Sequence, residues 1–496
     1  MADVVVVGAG IGGLTAAVRL AVGGHRVTVC ERAPEVGGKL GLLTRDGFRF
    51  DTGPSLVTMP QVFADFFRET GDRLETVLDL QPLDPIAHYR FGDGTTLESC
   101  ADPFEFRRRV DDAFGGGAGA DWAAFWKRAE RIWAATYEPF LASALDGPRT
   151  LARYATRLRD LAAIAPGRSL RGMATAYLRD PRLRQFVERY ATYTGSDPRR
   201  APAALASVPY AELAFGGWYL RGGLRRLADA LLARCAEHGV AVRTGTEVTR
   251  ITADARGVTG VLLADGGRLP ADVVVANADA THVYQDLIAV PSAARALRRT
   301  TPSLSGFVLL LGVRGRTPGL AHHTVLFPPG ELPGSYDAEF DHVFGDPGRP
   351  VPDPTLYLSV PDDPAVRPEG HEAWFVLVNA ARQGTGRGAV DWRTPGLADR
   401  YADLLLQRLA ERGYDPGDRL LFREVRTPAD LEARTHAVGG AIYGTSSNGA
   451  RAAFLRPGNR SVVPGLFLVG GSSHPGGGLP LVTLSAQTVA GLVGPA

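Results

Sequence analysis

Residues 3–31 read DVVVVGAGIGGLTAAVRLAVGGHRVTVCE, and this stretch decides the fold. The β-branched run Asp3–Val7 predicts a buried strand, and Arg26–Cys30 predicts a second strand. Between the two strands, apolar side chains recur at helical spacing, at Leu14, Ala17, Val18 and Ala21. The stretch therefore predicts a β-turn-α-β unit.

The turn of this unit carries a glycine motif. Residues 8–13, GAGIGG, satisfy G-x-G-x-x-G directly after a strand and at the start of a helix. Glycines permit a tight turn and the close approach of a pyrophosphate, while the helix N-terminus supplies N–H groups and positive dipole potential. Glu31 follows the second strand about 20 residues downstream, where a carboxylate accepts hydrogen bonds from a ribose. This context predicts a dinucleotide-binding fold.

The residues after Glu31 favour FAD over NAD. Arg32 follows directly, and Gly37, Gly38 and Lys39 come six to eight residues after the acidic residue. Backbone and cation there are placed to touch the diphosphate of a longer, extended cofactor. A simple turn at Gly37-Gly38 is the alternative interpretation.

The C-terminal end carries an independent signal. Residues 465–471, GLFLVGG, predict a strand that ends in glycines, and SSHPGGGLP at 472–480 leads into an apolar helix. A helix that opens near Pro480 aims its first N–H groups at the electron-rich pyrimidine end of a reduced flavin. Both ends of the chain are therefore expected at one FAD.

The pattern along the chain predicts an α/β fold with three regions. A Rossmann-like FAD-binding domain of GR2 type is assembled from distant segments, because strand and helix patterns return after residue 220. Ala, Arg, Trp and Leu at helical spacing indicate an inserted helical region, and short apolar runs between Pro, Gly and Asp indicate an antiparallel-sheet substrate domain. The predicted boundaries are 1–80, 215–290 and 455–496 for the FAD-binding domain, 81–214 for the helical, membrane-facing region and 291–454 for the substrate-binding domain.

Composition narrows the partners and the compartment. The net charge of +2 comes from 55 basic and 53 acidic residues, so no global field attracts nucleic acid. No apolar stretch reaches the length of a membrane span, about 18 residues, and no basic segment precedes the first apolar run as in a signal peptide. The three cysteines lack metal-ligand spacing. We expect a cytoplasmic protein of undetermined oligomeric state.

Several further motifs resemble those of the bacterial-type phytoene desaturases and related carotenoid desaturases, in the flavin amine oxidase superfamily. The resemblance covers essentially the whole chain. Its motifs, besides those above, are FDTGPS at 50–55, GWY at 217–219, ADVV at 271–274, NAD at 277–279, HHT at 322–324, RPGN at 456–459 and HPGGGLP at 474–480. A plain amine oxidase usually has an acidic residue just after the strand glycine, where this chain has Gly471 or Ser472. That departure favours the carotenoid branch.

The resemblance implies FAD as the redox cofactor, a long apolar polyene as substrate and hydride removal to flavin N5. The cofactor-binding residues predicted from the motifs and the resemblance are Gly8, Gly10, Ile11, Gly12, Gly13, Glu31, Arg32, Gly38, Lys39, Gly53, Pro54, Ser55, Val248, Gly471, Ser472, Leu481 and Val482. Val248 matches the family's strand whose backbone meets the adenine.

A desaturase also needs an acceptor for the proton next to the departing hydride. His474 is the first candidate for the catalytic base, with a histidine that holds loop backbone in place as the alternative. Asp51 is the second candidate, with a structural turn as the alternative. His322 and His323 are adjacent on a predicted strand and so point to opposite faces, which argues against a metal site.

A basic stripe suggests where an insoluble substrate is collected. Arg149, Arg153 and Arg157 recur every four residues, with Arg159 nearby and apolar residues between them. A basic amphipathic helix suits an anionic membrane surface, which here is the inner face of the cell membrane. An ordinary solvated helix face is the alternative, so peripheral membrane association is a hypothesis.

Four functions follow from these observations. The leading one is a carotenoid desaturase that introduces double bonds into phytoene, neurosporene or a hydroxylated carotenoid. The alternatives are a carotenoid ketolase or terminal-methyl oxidase, a flavin oxidase of an amine or another secondary metabolite, and a flavin-binding protein without turnover. The products distinguish the two carotenoid functions, since only the ketolase or terminal-methyl oxidase adds oxygen to a polyene.

Overall fold

The computed structural model describes residues 1–145, 158–449 and 452–496. Its first layer is a five-stranded parallel sheet that both chain ends and the middle of the chain build together. The strands, in spatial order, are Leu466–Leu468, Val273–Ala276, Asp3–Val7, Arg26–Cys30 and Ala241–Arg243. The predicted strands Asp3–Val7 and Arg26–Cys30 are confirmed, and so is the assembly of an α/β fold from distant segments.

The alternation of side chains along Asp3–Val7 explains why this sheet is covered on both sides. Val4 and Val6 pack against the helices Ile11–Val22, Arg225–Glu237 and Leu479–Val493. Val5 and Val7 point the other way, toward a small antiparallel sheet. Its strands are Val248–Asp254, Gly257–Leu263 and Arg268–Pro270. A strand buried on both faces needs an unbroken apolar run, and this is the pattern in the sequence.

A seven-stranded sheet forms the second layer. Its strands, in spatial order, are Leu420–Arg426, Ser305–Arg314, His371–Ala380, Leu356–Ser359, His323–Leu326, Ala87–Arg90 and Thr96–Ser99. The pairing is antiparallel except between His323–Leu326 and Ala87–Arg90, which run parallel. The last two strands come from the region that the sequence placed among helices, so the substrate sheet takes strands from before and after the helical region.

The two faces of this sheet differ. On one face, residues such as Leu309 and Trp374 are fully buried under the helix Leu397–Glu411. On the other face, Leu310 and Phe375 pack against Phe50 from the strand Phe48–Asp51. That second face meets the dinucleotide-binding layer.

The helical region packs around its own aromatic core, which includes Trp122, Phe125 and Phe186. Its helices are Pro103–Phe114, Ala118–Thr136, Tyr137–Leu141, Leu158–Ile164, Leu170–Tyr177, Pro181–Arg189, Tyr190–Thr194, Ala203–Ala206 and Ser207–Phe215. Aspartate followed by proline starts two of them, since Asp102 and Asp180 accept hydrogen bonds from first-turn N–H groups.

The other elements connect these layers. The remaining helices are Pro60–Glu69, Leu74–Val77, Ala280–His282, Val283–Leu287, Pro291–Leu297, Gly334–Val343, Gly417–Arg419, Pro428–Thr435, Val438–Gly440 and Ala452–Leu455. The remaining strands pair as Leu42–Arg45 with Phe48–Asp51, Leu80–Pro82 with Trp218–Leu220, and Arg382–Gln383 with Ala389–Val390.

The basic stripe falls largely outside these elements. Arg149, Arg153 and Arg157 lie outside the described residues, and Arg159 is exposed in the helix Leu158–Ile164. Among the helices of the described ranges, none has the length and apolar character to cross a membrane.

Candidate active site

The glycine turn has the geometry that its motif requires. Gly8 has φ +97°, a backbone conformation that residues with a Cβ rarely adopt. A Cβ on Gly13 would lie 2.1 Å from the Gly8 carbonyl oxygen, so the helix Ile11–Val22 approaches the strand closely only because Gly13 has no side chain. The turn thereby exposes backbone at the carboxyl end of the sheet.

Asn277 lies between this turn, near the N-terminus, and Gly470, near the C-terminus. It follows the strand Val273–Ala276, and its Nδ2 donates to the Gly8 carbonyl at 3.2 Å. A Cβ on Gly10 would lie 2.9 Å from Nδ2, and a Cβ on Gly470 would lie 2.7 Å from Oδ1. In the sequence, Asn277 stood out only as part of a motif. Its position directly after a parallel strand was the signal for a site residue.

Two helices begin side by side at this edge without side-chain caps. The N-cap residues are Gly10 for the helix Ile11–Val22 and Gly478 for Leu479–Val493, so neither offers an acceptor to the first-turn N–H groups. Gly12 lies close to Gly470, since a Cβ on it would be 3.2 Å from the Gly470 Cα. Two adjacent positive helix ends fit an extended ligand with an anionic diphosphate and an electron-rich ring. The residues therefore fit FAD.

Glu31 lies at the carboxyl end of the second strand, as predicted. Its Oε2 accepts from the Ala9 N–H at 2.7 Å, and its Oε1 accepts from the Ala33 N–H at 2.8 Å. A carboxylate has about four acceptor sites, so two remain for a ribose. The contact with the ribose stays a prediction.

Arg32 and Gly38 contact a segment more than 390 residues away. Arg32 Nη2 donates to the carbonyls of Ala433 and Arg434, both at 2.8 Å. Arg434 Nη2 donates back to the Gly38 carbonyl at 2.9 Å. These predicted cofactor residues therefore hold segment 433–442 against the dinucleotide site.

Lys39 continues the same contact. Its Nζ donates to the carbonyls of Ala441 and Ile442, at 3.0 and 2.6 Å. Burial lowers the pKa of Lys39 to about 8, although Asp279 favours the charged form. The ammonium group of Lys39 therefore holds backbone, and its contact with a diphosphate stays a prediction.

Arg456 is a functional candidate that stood out in the sequence only as part of a motif. Its guanidinium is buried and donates to the carbonyls of Tyr443, Thr445 and Gly471, at 2.8, 2.6 and 2.8 Å. Burial lowers its pKa to about 10. Arg456 therefore joins the C-terminal glycine loop, residues 470–478, to the segment that Lys39 holds.

The other predicted cofactor residues surround these contacts. Gly53 packs on Lys39, since a Cβ on it would lie 2.0 Å from the Lys39 carbonyl oxygen. Ser472 Oγ accepts from the Ala280 N–H at 2.9 Å and so fixes the start of the C-terminal glycine loop. The half-buried residues Pro54, Leu481 and Val482 also lie here, while Val248 begins the strand Val248–Asp254.

His474 has a structural role in this geometry. Its Nε2 is bonded to the carbonyls of Phe140 and Ser143, at 2.8 and 2.9 Å, and its ring is fully buried. Burial lowers its pKa to about 4. These contacts favour the alternative in which the histidine holds loop backbone, and its role as a base stays a prediction.

Asp51 also holds backbone. Its carboxylate accepts from the N–H groups of Leu224 and Arg225, at 2.7 and 2.9 Å, where the helix Arg225–Glu237 begins. Burial raises its pKa to about 6, against the effect of these two hydrogen bonds. The geometry favours a helix cap over a base.

The side chains of the two adjacent histidines lie closer together than the predicted strand alternation implies. His322 precedes the strand His323–Leu326, so strand alternation does not separate the side chains, and their rings lie 4.5 Å apart. Within the described residues, no group of three or more His, Cys, Asp or Glu side chains is arranged to hold a metal ion.

A set of large apolar side chains near the C-terminal glycine loop is only half-buried, although its members belong to interior elements. Tyr357 and Leu377 lie on central strands of the seven-stranded sheet, and Trp133 stacks on Tyr137 at 4.8 Å in the helical region. We call this set the apolar wall; it consists of Trp133, Tyr137, Phe215, Tyr357, Leu377, Ile442 and Leu481. Their partly exposed surfaces offer apolar contacts to a ligand.

Comparisons with known proteins bear on the family and the fold of this chain. The sequence matches the family described as flavin containing amine oxidoreductase over residues 11–370. A 4,4'-diapolycopene oxygenase from Methylomonas sp is 35% identical over 493 residues, which cover 98% of this chain and 97% of that protein. A hydroxyneurosporene desaturase from Cereibacter sphaeroides is 35% identical over 492 residues, which cover 98% of this chain and 96% of that protein.

A solved structure supports the fold. Wild-type putrescine oxidase bound to putrescine is similar with a TM-score of 0.66 at 15% identity, over 99% of each chain. The predicted fold class, family and cofactor are confirmed, while the individual site residues stay predictions. The chain belongs to the flavin containing amine oxidoreductase family, in the group of the carotenoid desaturases and their oxygenase relatives, and it is an FAD-dependent oxidoreductase.

Proposed function

We propose that this chain oxidises a carotenoid polyene and that its product carries an additional C=C bond. The observation that carries the proposal is the apolar wall beside the C-terminal glycine loop. A polyene has no charged group to recognise, so its affinity must come from buried apolar area, at about 25 cal/mol per Å². Aromatic side chains such as Trp133 and Phe215 offer flat surfaces that suit a planar conjugated chain.

The chain's own residues position the reactants. Gly10 and Gly478 leave two helix ends open that would hold the cofactor, and Arg456 and Lys39 hold backbone of the loops at the same edge of the sheet. Leu481 joins the apolar wall to the first turn of the helix Leu479–Val493. When bound, FAD supplies the hydride acceptor for a C–H bond that no side chain is able to oxidise.

A second candidate is terminal-methyl oxidation, which adds oxygen. The observation in its favour is the equal identity of 35% to an oxygenase and to a desaturase of carotenoids. Both candidates use the same FAD site and the same apolar wall, and the products separate them.

The test is expression of the chain in cells that make phytoene, neurosporene or hydroxylated carotenoids, followed by mass spectrometry of the pigments. Loss of hydrogen in pairs supports the desaturase, and gain of oxygen supports the second candidate. Unchanged pigments in every background would overturn both. A Gly13→Val variant is the matched control, because its side chain would collide with the Gly8 carbonyl and prevent loading with FAD.

We also propose that the protein takes its substrate from the inner face of the cell membrane through the helical region. The support is physical, since a polyene is insoluble in water and the basic stripe in the sequence would attract anionic lipid. Flotation with vesicles of anionic phospholipid tests this proposal, with vesicles of neutral phospholipid as the control. Protein that stays at the bottom of both gradients would contradict it.

A further inference from the structure

A chain of hydrogen bonds runs inward from the predicted cofactor residues. Ser55 Oγ and the Tyr357 hydroxyl are 2.7 Å apart, and the Tyr357 hydroxyl is 2.7 Å from His323 Nδ1. The rings of Tyr357 and His323 lie nearly parallel, 15° apart. Each hydroxyl can accept from one neighbour and donate to the other, so the three side chains form a path for a proton.

One end of this path is open and the other is closed. Ser55 and Tyr357 are half-buried, and Tyr357 belongs to the apolar wall where we place the polyene. His323 is 1% exposed, and its Nε2 is buried without a hydrogen-bond partner. In the neutral tautomer that accepts from Tyr357, the hydrogen is on Nε2 and the lone pair of Nδ1 faces the hydroxyl.

A second buried cluster holds Tyr357 in place. The Arg189 guanidinium lies over the ring of Tyr357 at 5.6 Å and over the ring of Tyr193 at 5.4 Å. Glu212 accepts from the hydroxyls of Tyr193 and Tyr190, at 2.8 and 2.7 Å. Burying this many polar groups is costly unless every partner is fixed, so the cluster keeps Tyr357 in one orientation.

The same surroundings keep His323 uncharged before the reaction. Burial lowers the pKa of His323 well below its usual range, and the His322 ring and the positive charge of Arg189 lower it further. Tyr357 stays protonated, because burial raises its pKa. The path is therefore ready to receive a proton throughout the physiological pH range.

We propose that Ser55, Tyr357 and His323 form the proton relay of the desaturation, with His323 as the final acceptor. This inference rests on the proposed function. When bound, FAD would accept the hydride, with its electron pair, from the substrate. In the same step the C–H bond on the neighbouring carbon breaks, its electron pair forms the new π bond, and its proton goes to Ser55 Oγ. The Ser55 proton moves to Tyr357, the Tyr357 proton moves to His323 Nδ1, and His323 becomes an imidazolium.

A weakly basic imidazole is sufficient for this task. A C–H bond next to a carbon that is losing hydride becomes strongly acidic, so the geometry of the acceptor matters more than its pKa. After the product leaves, the same two hydrogen bonds carry the proton back to the open end at Ser55. Among the described residues no hydrogen-bonded path leads from His474 Nδ1, which is buried without a partner, and both oxygens of Asp51 accept from backbone N–H groups.

Three variants and one control test the relay. Tyr357→Phe breaks the path at its centre, and Ser55→Ala removes its open end. His323→Asn places an amide where the acceptor nitrogen was, but an amide does not take up a proton at neutral pH. The control is Tyr336→Phe, because the Tyr336 hydroxyl is also buried and has no hydrogen-bond partner.

The main measurement is the rate at which a carotenoid in detergent micelles bleaches the visible flavin absorbance of the FAD-loaded protein without oxygen. We expect Tyr357→Phe and His323→Asn to slow bleaching about 100-fold, the lower range for loss of a general base, with FAD content unchanged and the control within about twofold. The wild-type rate should fall in D₂O, and the three variants should lose this isotope effect. Wild-type rates in Tyr357→Phe and His323→Asn would overturn the relay and leave the proposed function standing.

A second readout needs no turnover. In protein labelled with ¹⁵N-histidine, the His323 signal, identified by its loss in His323→Asn, should shift in Tyr357→Phe and stay in place in Tyr336→Phe. An unshifted His323 signal in Tyr357→Phe would overturn the relay. If no carotenoid bleaches the wild-type protein, the proposed function fails, and the catalytic role of the relay fails with it.

Discussion

The dinucleotide end of this molecule, around the glycine turn, and its substrate end, around the apolar wall, are built in different ways. At the dinucleotide end, glycines and backbone groups form the site. Gly8 has φ +97°, and a Cβ on Gly13 would lie 2.1 Å from a carbonyl oxygen. At the substrate end, side chains from separate segments meet, as where Glu212 accepts from two tyrosine hydroxyls. The comparison shows that a site made of backbone is specified locally, whereas a site made of side chains depends on packing.

The largest expected effect comes from adding one methyl group at the dinucleotide end. Gly13→Ala places a Cβ against the Gly8 carbonyl, so we expect a loss of about 3 kcal/mol or more in the free energy of unfolding and little bound FAD. The measurement is thermal unfolding together with the ratio of FAD to protein. Gly491→Ala is the control, because a Cβ there meets open space. Retention of FAD by Gly13→Ala would contradict this account of the turn.

At the substrate end, a comparable change should affect stability and spare the cofactor. Glu212→Ala leaves the hydroxyls of Tyr190 and Tyr193 buried without an acceptor, so we expect a loss of about 2 kcal/mol in the free energy of unfolding. Urea denaturation measures this loss, and flavin absorbance should show unchanged FAD content. Glu212→Gln keeps one acceptor oxygen and should lose less. Parallel loss of FAD in Glu212→Ala would mean that the two ends are not independent.

Asp51 lies between the two ends, and its titration tests the contact between its carboxyl group and the start of the helix Arg225–Glu237. Its pKa in the folded protein is raised to about 6, above the ordinary value of 3.8, so the stability it contributes is fully present below about pH 4 and is lost as the pH rises through 6. Asp51→Asn should lower stability by about 1 kcal/mol at pH 4, because one helix-capping acceptor is lost. It should also lose less stability than the wild type between pH 4 and 6.5, as measured by urea denaturation. Parallel curves would contradict the assigned pKa.

The smallest effect is expected at the segment that crosses the dinucleotide site. Arg434→Ala removes hydrogen bonds to Gly38 and Thr52, and we expect FAD affinity to fall about threefold, equivalent to the net value of one exposed hydrogen bond. Titration of the apoprotein with FAD, followed by flavin fluorescence, measures the change. Arg393→Ala is the control, since this exposed arginine pairs only with Glu432 among the described residues. Equal affinities in the two variants would remove segment 433–442 from the cofactor site.

The fold of the dinucleotide end was predictable in detail, and that of the substrate end was not. The strand Asp3–Val7 and the start of the helix Ile11–Val22 appear at the predicted positions. The strands Ala87–Arg90 and Thr96–Ser99 escaped prediction, because short strands carry little local signal and Ala87–Arg90 joins the sheet through a partner more than 200 residues away. The predicted domain boundaries stay predictions.

The candidate bases show the same limit. Sequence proximity to the glycine loops singled out His474 and Asp51, yet both side chains are bonded to backbone in the fold. Arg189 and Glu212 carried no sequence signal, because a buried charge cannot be told from a surface charge in a helix pattern.

The sequence by itself determined the cofactor and the family of this protein. Gly8 and Gly13 act through backbone geometry, and Glu31 acts through a carboxylate at a fixed spacing from them; both are local properties that a single chain segment encodes. Only the tertiary structure decided which side chains come together at the substrate end. Ser55 and Tyr357 share a hydrogen bond across 302 residues of sequence. Such a contact forms only when the segments that carry the two side chains have packed together, because neither segment alone fixes the distance between them.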